Sequence, residues 1–146
     1  MAARFFGRHE HSLDVKGRII LPARYRGHFD TLAYLSQHQE GCLALWTPEE
    51  FEKQLADMQQ TQDRGSAERN MVRIWSAGLT EVELDRQGRV AIPTYLRSYA
   101  ELDSAVLIVG ALNRIEIWSP SLWEARVRPA EAMFITPDTV ASGEVE

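Results

Sequence analysis

The chain has 146 residues, of which 45% are hydrophobic, 25% charged and 9% aromatic. That is the balance of an ordinary globular domain, and it excludes a disordered, collagenous or coiled-coil chain and any large multidomain enzyme. The net charge is −5, opposite in sign to that of a dedicated polyanion binder, yet the charge is unevenly placed. From Met1 to Arg26 six cations (Arg4, Arg8, Lys16, Arg18, Arg24, Arg26) face only Glu10 and Asp14, a net of +4 that leaves −9 for the remainder. Binding responds to such a local field rather than to the sum. Fourteen of the 16 cations are arginine, a bias suited to bidentate contacts with phosphate or guanine.

In chain order, a strand is expected to end at Leu13-Asp14, where Asp14-Val15-Lys16-Gly17 forms a turn. Asp at the first position accepts backbone N–H bonds, and Gly17 tolerates positive φ. A strand over Arg18–Leu21 stops at Pro22, which opens a short helix over Ala23–His28. Strands at Leu32–Ser36 and Cys42–Trp46 form a second hairpin, the latter alternating as a half-buried strand does. Thr47 is then an N-cap, with Pro48 at the first helical position and Glu49, Glu50 and Glu52 at the positive end of a helix running to about Gln60. Asp63–Ser66 breaks the chain, and Ala67–Ala77 carries Met71, Ile74 and Trp75 at helical spacing.

The pattern then repeats. SLDVKGRIILPARYR at Ser12–Arg26 reads again as ELDRQGRVAIPTYLR at Glu83–Arg97, offset by 71 residues. The likeness resumes with one residue inserted, aligning Ala33–Phe51 with Ala105–Trp123, so that Trp46-Thr47-Pro48 meets Trp118-Ser119-Pro120. The second copy therefore predicts the turn Asp85–Gly88, a strand over Arg89–Ile92, a helix over Thr94–Tyr99 opened by Pro93, strands at Ala105–Val109 and Arg114–Trp118, and a helix from Pro120. Each ββαββ unit of about 40 residues is too small to bury a core alone, so the two copies are expected to complete one shared core. The expected divisions are repeat 1 over 8–51, linker helices over 52–79, repeat 2 over 80–123, and a loosely held tail over 128–146.

Both strands after the turns carry an arginine, Arg18 and Arg89, with Asp14 and Asp85 four residues before them. Each turn is expected to join its two strands as a hairpin, and a two-stranded hairpin is narrow enough for the major groove, where arginine bonds guanine O6 and N7 or grips phosphate. The two aspartates are expected to close the turns and orient the guanidinium groups. Lys16, Arg24 and Arg26 are expected to add phosphate contacts in the first copy, and Arg86 and Arg97 in the second, with the first copy binding more strongly. Gly17 and Gly88 serve the turns.

The paired D-x-x-G-R turns, each running into an apolar triplet and Pro, resemble the MraZ family of bacterial transcriptional regulators over Phe6–Trp123, including AGLTEVELDRQGRVAIP at Ala77–Pro93. The start departs from the family's usual Met-Phe-x-Gly, since extra residues precede Phe6-Gly7. The resemblance implies an α+β, mainly β fold: two SpoVT/AbrB-like units in one chain forming a swapped-hairpin, double-split β-barrel capped by short helices. It also implies a ring-shaped homo-oligomer that binds repeated double-stranded DNA sites upstream of the division and cell-wall gene cluster, its own operon included, usually as a repressor. On this resemblance Arg18 and Arg89 carry the DNA binding.

Other readings of the residues are less favourable. His9, His11 and Asp14 share too few donors for a zinc site, so no metal is expected. Cys42 beside His38 reads as a core thiol rather than a nucleophile, and no phosphate loop or Ser/His/Asp set is present. No enzyme activity and no cofactor are expected. The four tryptophans read as core or interface. With one cysteine, no apolar leader before a cleavage site and no run near the ~20 residues of a membrane span, the expected location is the cytoplasm, at the nucleoid, and not the membrane. The competing class is an assembly protein whose D-x-x-G-R arginines make ion pairs between subunits and bind no DNA.

Overall fold

A computed structural model describes residues 4–135. The first copy supplies β1 (Arg8–Ser12), β2 (Arg18–Ile20), α1 (Ala23–Arg26), β3 (Leu32–Gln37) and β4 (Leu43–Trp46). The second supplies β5 (Thr80–Glu83), β6 (Arg89–Ala91), α4 (Thr94–Tyr99), β7 (Ala105–Gly110) and β8 (Ile115–Trp118). Helices α2 (Pro48–Thr61) and α3 (Ser66–Gly78) join them, and α5 (Pro120–Arg126) follows β8. The fold is α+β and mainly antiparallel β.

The copies interlock by exchanging their first strands. The six-stranded sheet has the order β1-β7-β8-β4-β3-β5, so β1 lies on the second copy's hairpin and β5 on the first copy's. β2 and β6 leave this sheet and pair with each other, so the D-x-x-G turns do not close the expected hairpins with their own preceding strands, because those strands are taken up by the other copy. Among the described residues the ladders do not close into a barrel: β1 and β5 are the edges of the sheet, and β2–β6 stands as a separate ribbon. The cause is local. Each D-x-x-G turn retains one strand-like bond across its mouth, Asp14 N–H to Arg18 O at 2.9 Å and Asp85 N–H to Arg89 O at 3.2 Å, and then directs the chain away from its own hairpin.

The shared core lies between sheet and ribbon. Ile19, Leu21, Leu35, Leu43, Leu45, Val90, Leu96, Ile108, Ile115 and Ile117 are fully inaccessible there and come from both copies. At about 25 cal/mol per Å² of apolar surface removed from water, this joint burial is the main favourable term, and neither copy could form it alone.

Three details differ from the sequence reading. β4 and β8 are buried at every residue rather than half-buried, because helices cover their outer faces. On the first half Phe51 of α2 stacks on Tyr34 at 3.9 Å and lies 6.1 Å from Trp75 of α3. On the second, Trp123 of α5 meets Trp118 edge-on at 5.5 Å. The strand alignment also moves by one residue. Ser12 pairs with Ala105 while its equivalent Glu83 pairs with Leu32, so Ala33 corresponds to Val106 and not to Ala105. A one-residue slip would turn each strand's core face outward, and the core holds Ala33 and Leu35 on the inner face of β3 as it holds Val106 and Ile108 on that of β7. Finally, α1 ends at Arg26, and the chain continues through tighter i→i−3 bonds, His28 to Tyr25 and Phe29 to Arg26.

Thr47 caps α2 as expected, its hydroxyl accepting from the Glu50 N–H at 3.2 Å. In the expected tail, Arg128–Glu131 forms a 3-10 turn and Ala132–Ile135 the short helix α6. Arg128 ties this turn back to Glu124 and Glu131 at 3.3 and 3.0 Å. The rest of that segment, 136–146, lies outside the described residues.

Candidate nucleic-acid interface

The β2–β6 ribbon brings the two repeated arginines together. Its register is Arg18↔Ala91, Ile19↔Val90 and Ile20↔Arg89. Side chains alternate across a ribbon, so Ile19 and Val90 point into the core at 0% exposure, while Arg18, Ile20, Arg89 and Ala91 form the outer face. Arg18 and Arg89 stand on one diagonal of that face, a separation of roughly 7–8 Å for diagonal neighbours. Reciprocal bonds extend the ribbon at both ends, Leu21 N–H to Gly88 O and Ile92 N–H to Gly17 O, each 2.9 Å. The outer face is therefore two-fold symmetric in its backbone.

Each arginine is aimed by its own turn. Asp14 Oδ1 accepts from the backbone N–H of Lys16 and Arg18 at 2.8 and 2.9 Å, and its Oδ2 accepts from Arg18 Nε at 2.8 Å. Asp85 repeats this with Gln87, Arg89 and Arg89 Nε at 2.9, 2.9 and 2.5 Å. These bonds, led by the backbone N–H of the arginine, hold both carboxyl groups below the ordinary aspartate range. Because only Nε is engaged, both terminal amines of Arg18 and of Arg89 are without a partner among the described residues. That pair of amines is what bidentate recognition of guanine or phosphate uses.

Gly17 and Gly88 have φ of 75° and 78°, the left-handed region in which glycine is unstrained. Over each lies an arginine of the other copy. Arg97 Nη1 donates to Ile92 O at 2.8 Å, Nη2 donates to Thr94 Oγ1 at 2.9 Å, and the guanidinium covers Gly17. Arg26 Nε donates to Leu21 O at 2.9 Å and covers Gly88. Arg26 and Arg97 thus brace the turns, a role that sequence reasoning missed. Its only sequence signal is their equivalent position, four residues after each Pro. Asp30 lines the cleft with Arg26, and Asp103 lines the cleft with Arg97.

Lys16 and Arg86 are exposed within the two turns. Arg24 is placed elsewhere, its guanidinium 4.8 Å above the Phe6 ring, at the end of β1 away from the Asp14 turn. His9 meets Tyr25 edge-on at 5.4 Å, and its Nε2 is buried without a hydrogen bond. His11 is shifted to lower pKa by burial and then by His9. Cys42 is buried with its thiol pushed up by burial, and Sγ lies 3.7 Å from Gln39 O. Trp46 Nε1 donates to Ser36 Oγ at 3.0 Å and Trp118 Nε1 to Glu116 Oε1 at 2.9 Å, so both indoles belong to the core. Among the described residues no three His, Cys, Asp or Glu side chains converge as a metal site would require, and no helix is long and apolar enough to cross a membrane.

The family model described as "MraZ protein, putative antitoxin-like" matches residues 5–74 and 76–143, one segment for each copy. The chain is 38% identical over 133 residues to a protein of Halothermothrix orenii named transcriptional regulator MraZ, covering 89% of this chain and 91% of that one. Proteins of the same name from Moorella thermoacetica and a Nocardioides species are 39% and 37% identical, covering 89% and 92% of this chain and 91% and 93% of theirs. With this identity extending over nearly the whole length, and with both turns in place, the chain belongs to the MraZ family of transcriptional regulators.

Proposed function

We propose that the chain regulates transcription by binding double-stranded DNA in a sequence-specific way, with the outer face of the β2–β6 ribbon entering the major groove. One observation carries this reading. Arg18 and Arg89 lie on one diagonal of that face, each held through Nε by its own aspartate with both terminal amines unengaged among the described residues. A guanidinium fixed before contact loses less conformational entropy on binding than a mobile one. Arg18 and Arg89 read bases, Asp14 and Asp85 orient them, and Lys16 and Arg86 at the turn tips contact phosphate. Arg26 and Arg97 support the turns and add charge beside them.

A single ribbon makes few contacts, so useful affinity comes from several copies engaging spaced repeats, each added contact being intramolecular once the first has formed. A ring-shaped oligomer reading repeated promoter sites of the division and cell-wall gene cluster, its own operon included, and repressing them, satisfies that requirement. The protein works at the nucleoid in this reading.

The test is selection of bound fragments from the organism's own genomic DNA at about 150 mM salt, where non-specific phosphate binding is weak. Wild type is expected to enrich spaced repeats upstream of division genes, and the Arg18→Ala/Arg89→Ala protein is not. Equal recovery by both would place the binding surface elsewhere. Absence of enrichment, with oligomers insensitive to salt, would favour a role in assembly without DNA.

A further inference from the structure

The backbone of the ribbon is two-fold symmetric, but its outer face is not. The rotation that carries Arg18 onto Arg89 carries Ile20 onto Ala91. Ile20 is 44% exposed, an apolar branched side chain on the same face as the two arginines, directly opposite Arg89 in the register. Ala91 occupies the equivalent place opposite Arg18 and contributes only a methyl group. Thus one arginine has a bulky apolar neighbour and the other has not.

We infer that Ile20 is a base-reading residue, which recognises the 5-methyl group of a thymine in the base pair next to the guanine held by Arg89 and gives each site a direction. The inference rests on the DNA reading above. The thymine methyl is the only apolar group that base edges present in the major groove, and aliphatic side chains recognise it by contact. Directly opposite ribbon residues have Cβ atoms about 4.5–5.5 Å apart, comparable with the roughly 3.4 Å rise of one base step once side chains lean. Arg89 and Ile20 therefore span adjacent base pairs. At the Arg18 end, Ala91 offers a single methyl group and a smaller apolar contact than Ile20, so the neighbouring pair there is read more weakly. The element recognised by one ribbon is accordingly asymmetric, although the ribbon's fold is symmetric.

The experiment uses the full chain and a randomised duplex library. Sites are selected with wild type, Ile20→Ala and the exchange variant Ile20→Ala/Ala91→Ile, and each thymine of the wild-type site is then replaced by deoxyuridine, which removes only the methyl group. The fold already accepts alanine at the equivalent position 91, so Ile20→Ala is compatible with the ribbon. At one position beside one guanine, deoxyuridine is expected to weaken wild type about fourfold, the worth of one buried methyl group. Ile20→Ala is expected to be indifferent to that replacement, and the exchange variant to transfer the sensitivity to the position beside the other guanine. Selection of guanine-containing sites without deoxyuridine sensitivity would overturn this inference alone, as would sensitivity that persists in Ile20→Ala. Failure of wild type to select any sequence would overturn the DNA reading and this inference with it.

Discussion

The guanidinium of Arg97 occupies the space that a Cβ on Gly17 would need. Arg26 stands over Gly88 in the same way. Each copy's turn is thus shaped by its own glycine and covered by an arginine of the other copy, so the two turns are coupled through the interlocked fold.

Substituting either glycine has two costs, positive φ and displacement of the brace. Gly17→Ala and Gly88→Ala are expected to destabilise the protein by about 1–3 kcal/mol, measured by urea unfolding. Gly27→Ala is the control, since Gly27 has φ of −64° and open space around its Cβ position. It is expected to be neutral or stabilising by up to about 1 kcal/mol.

Removing the brace itself separates support from DNA contact. Arg97→Ala deletes bonds to Ile92 O and Thr94 Oγ1. With about 1–3 kcal/mol for a charge-assisted bond of this kind, a measurable loss in denaturant midpoint is expected. Arg18→Ala removes the exposed Nε bond to Asp14 and keeps the backbone one, and is expected to leave that midpoint nearly unchanged.

The orienting aspartates give a pH dependence of definite sign. Both have folded-state pKa values held below the ordinary aspartate value by hydrogen bonds to the carboxylate. Their contribution is fully present above the unfolded-state pKa of about 4 and is lost as pH falls through the lower folded value. Asp14→Asn/Asp85→Asn is expected to remove that acid-side dependence, followed by circular dichroism. It should also weaken DNA binding at neutral pH, with a small fall in melting temperature as the carboxylates' contribution is lost, small because both pairs are solvent-exposed.

Docking of α3 depends on one aromatic residue. Trp75 is buried against Phe51 and belongs to the cluster that covers the outer face of β3 and β4. Trp75→Ala is expected to cost about 3–5 kcal/mol. Hydrogen exchange should then show α3 opening while amides of the β2–β6 ribbon stay protected, since the ribbon packs on a different cluster.

Much of this was legible in the chain because the repeat encodes local chemistry twice. Asp14 with Gly17 and Asp85 with Gly88 specify turns, Pro22 and Pro93 end strands, and Thr47 caps a helix. These depend on neighbours within a few residues. What was not legible depends on distant partners. The braces of Arg26 and Arg97 require knowing that the copies interlock across each other's turns. The correspondence of Ala33 with Val106 is decided by which residues face the core, and loop lengths absorb the shift. Full burial of β4 and β8 follows from helices packed on their outer faces, which the alternation within a strand does not reveal. Placement of Arg24 on Phe6 follows from the course of the chain before β1.

The central claim is that Arg18 and Arg89 read DNA from the ribbon's outer face. Its most direct measurement is the dissociation constant for a selected duplex at about 150 mM salt, for wild type, each single alanine variant and the double variant, with melting temperature and oligomeric mass recorded on the same samples. A loss of about tenfold or more is expected for each single substitution, since a good bidentate contact is worth about 1–3 kcal/mol, and near-abolition in the double variant, with fold and assembly intact. Wild-type affinity in a folded, fully assembled double variant would contradict it.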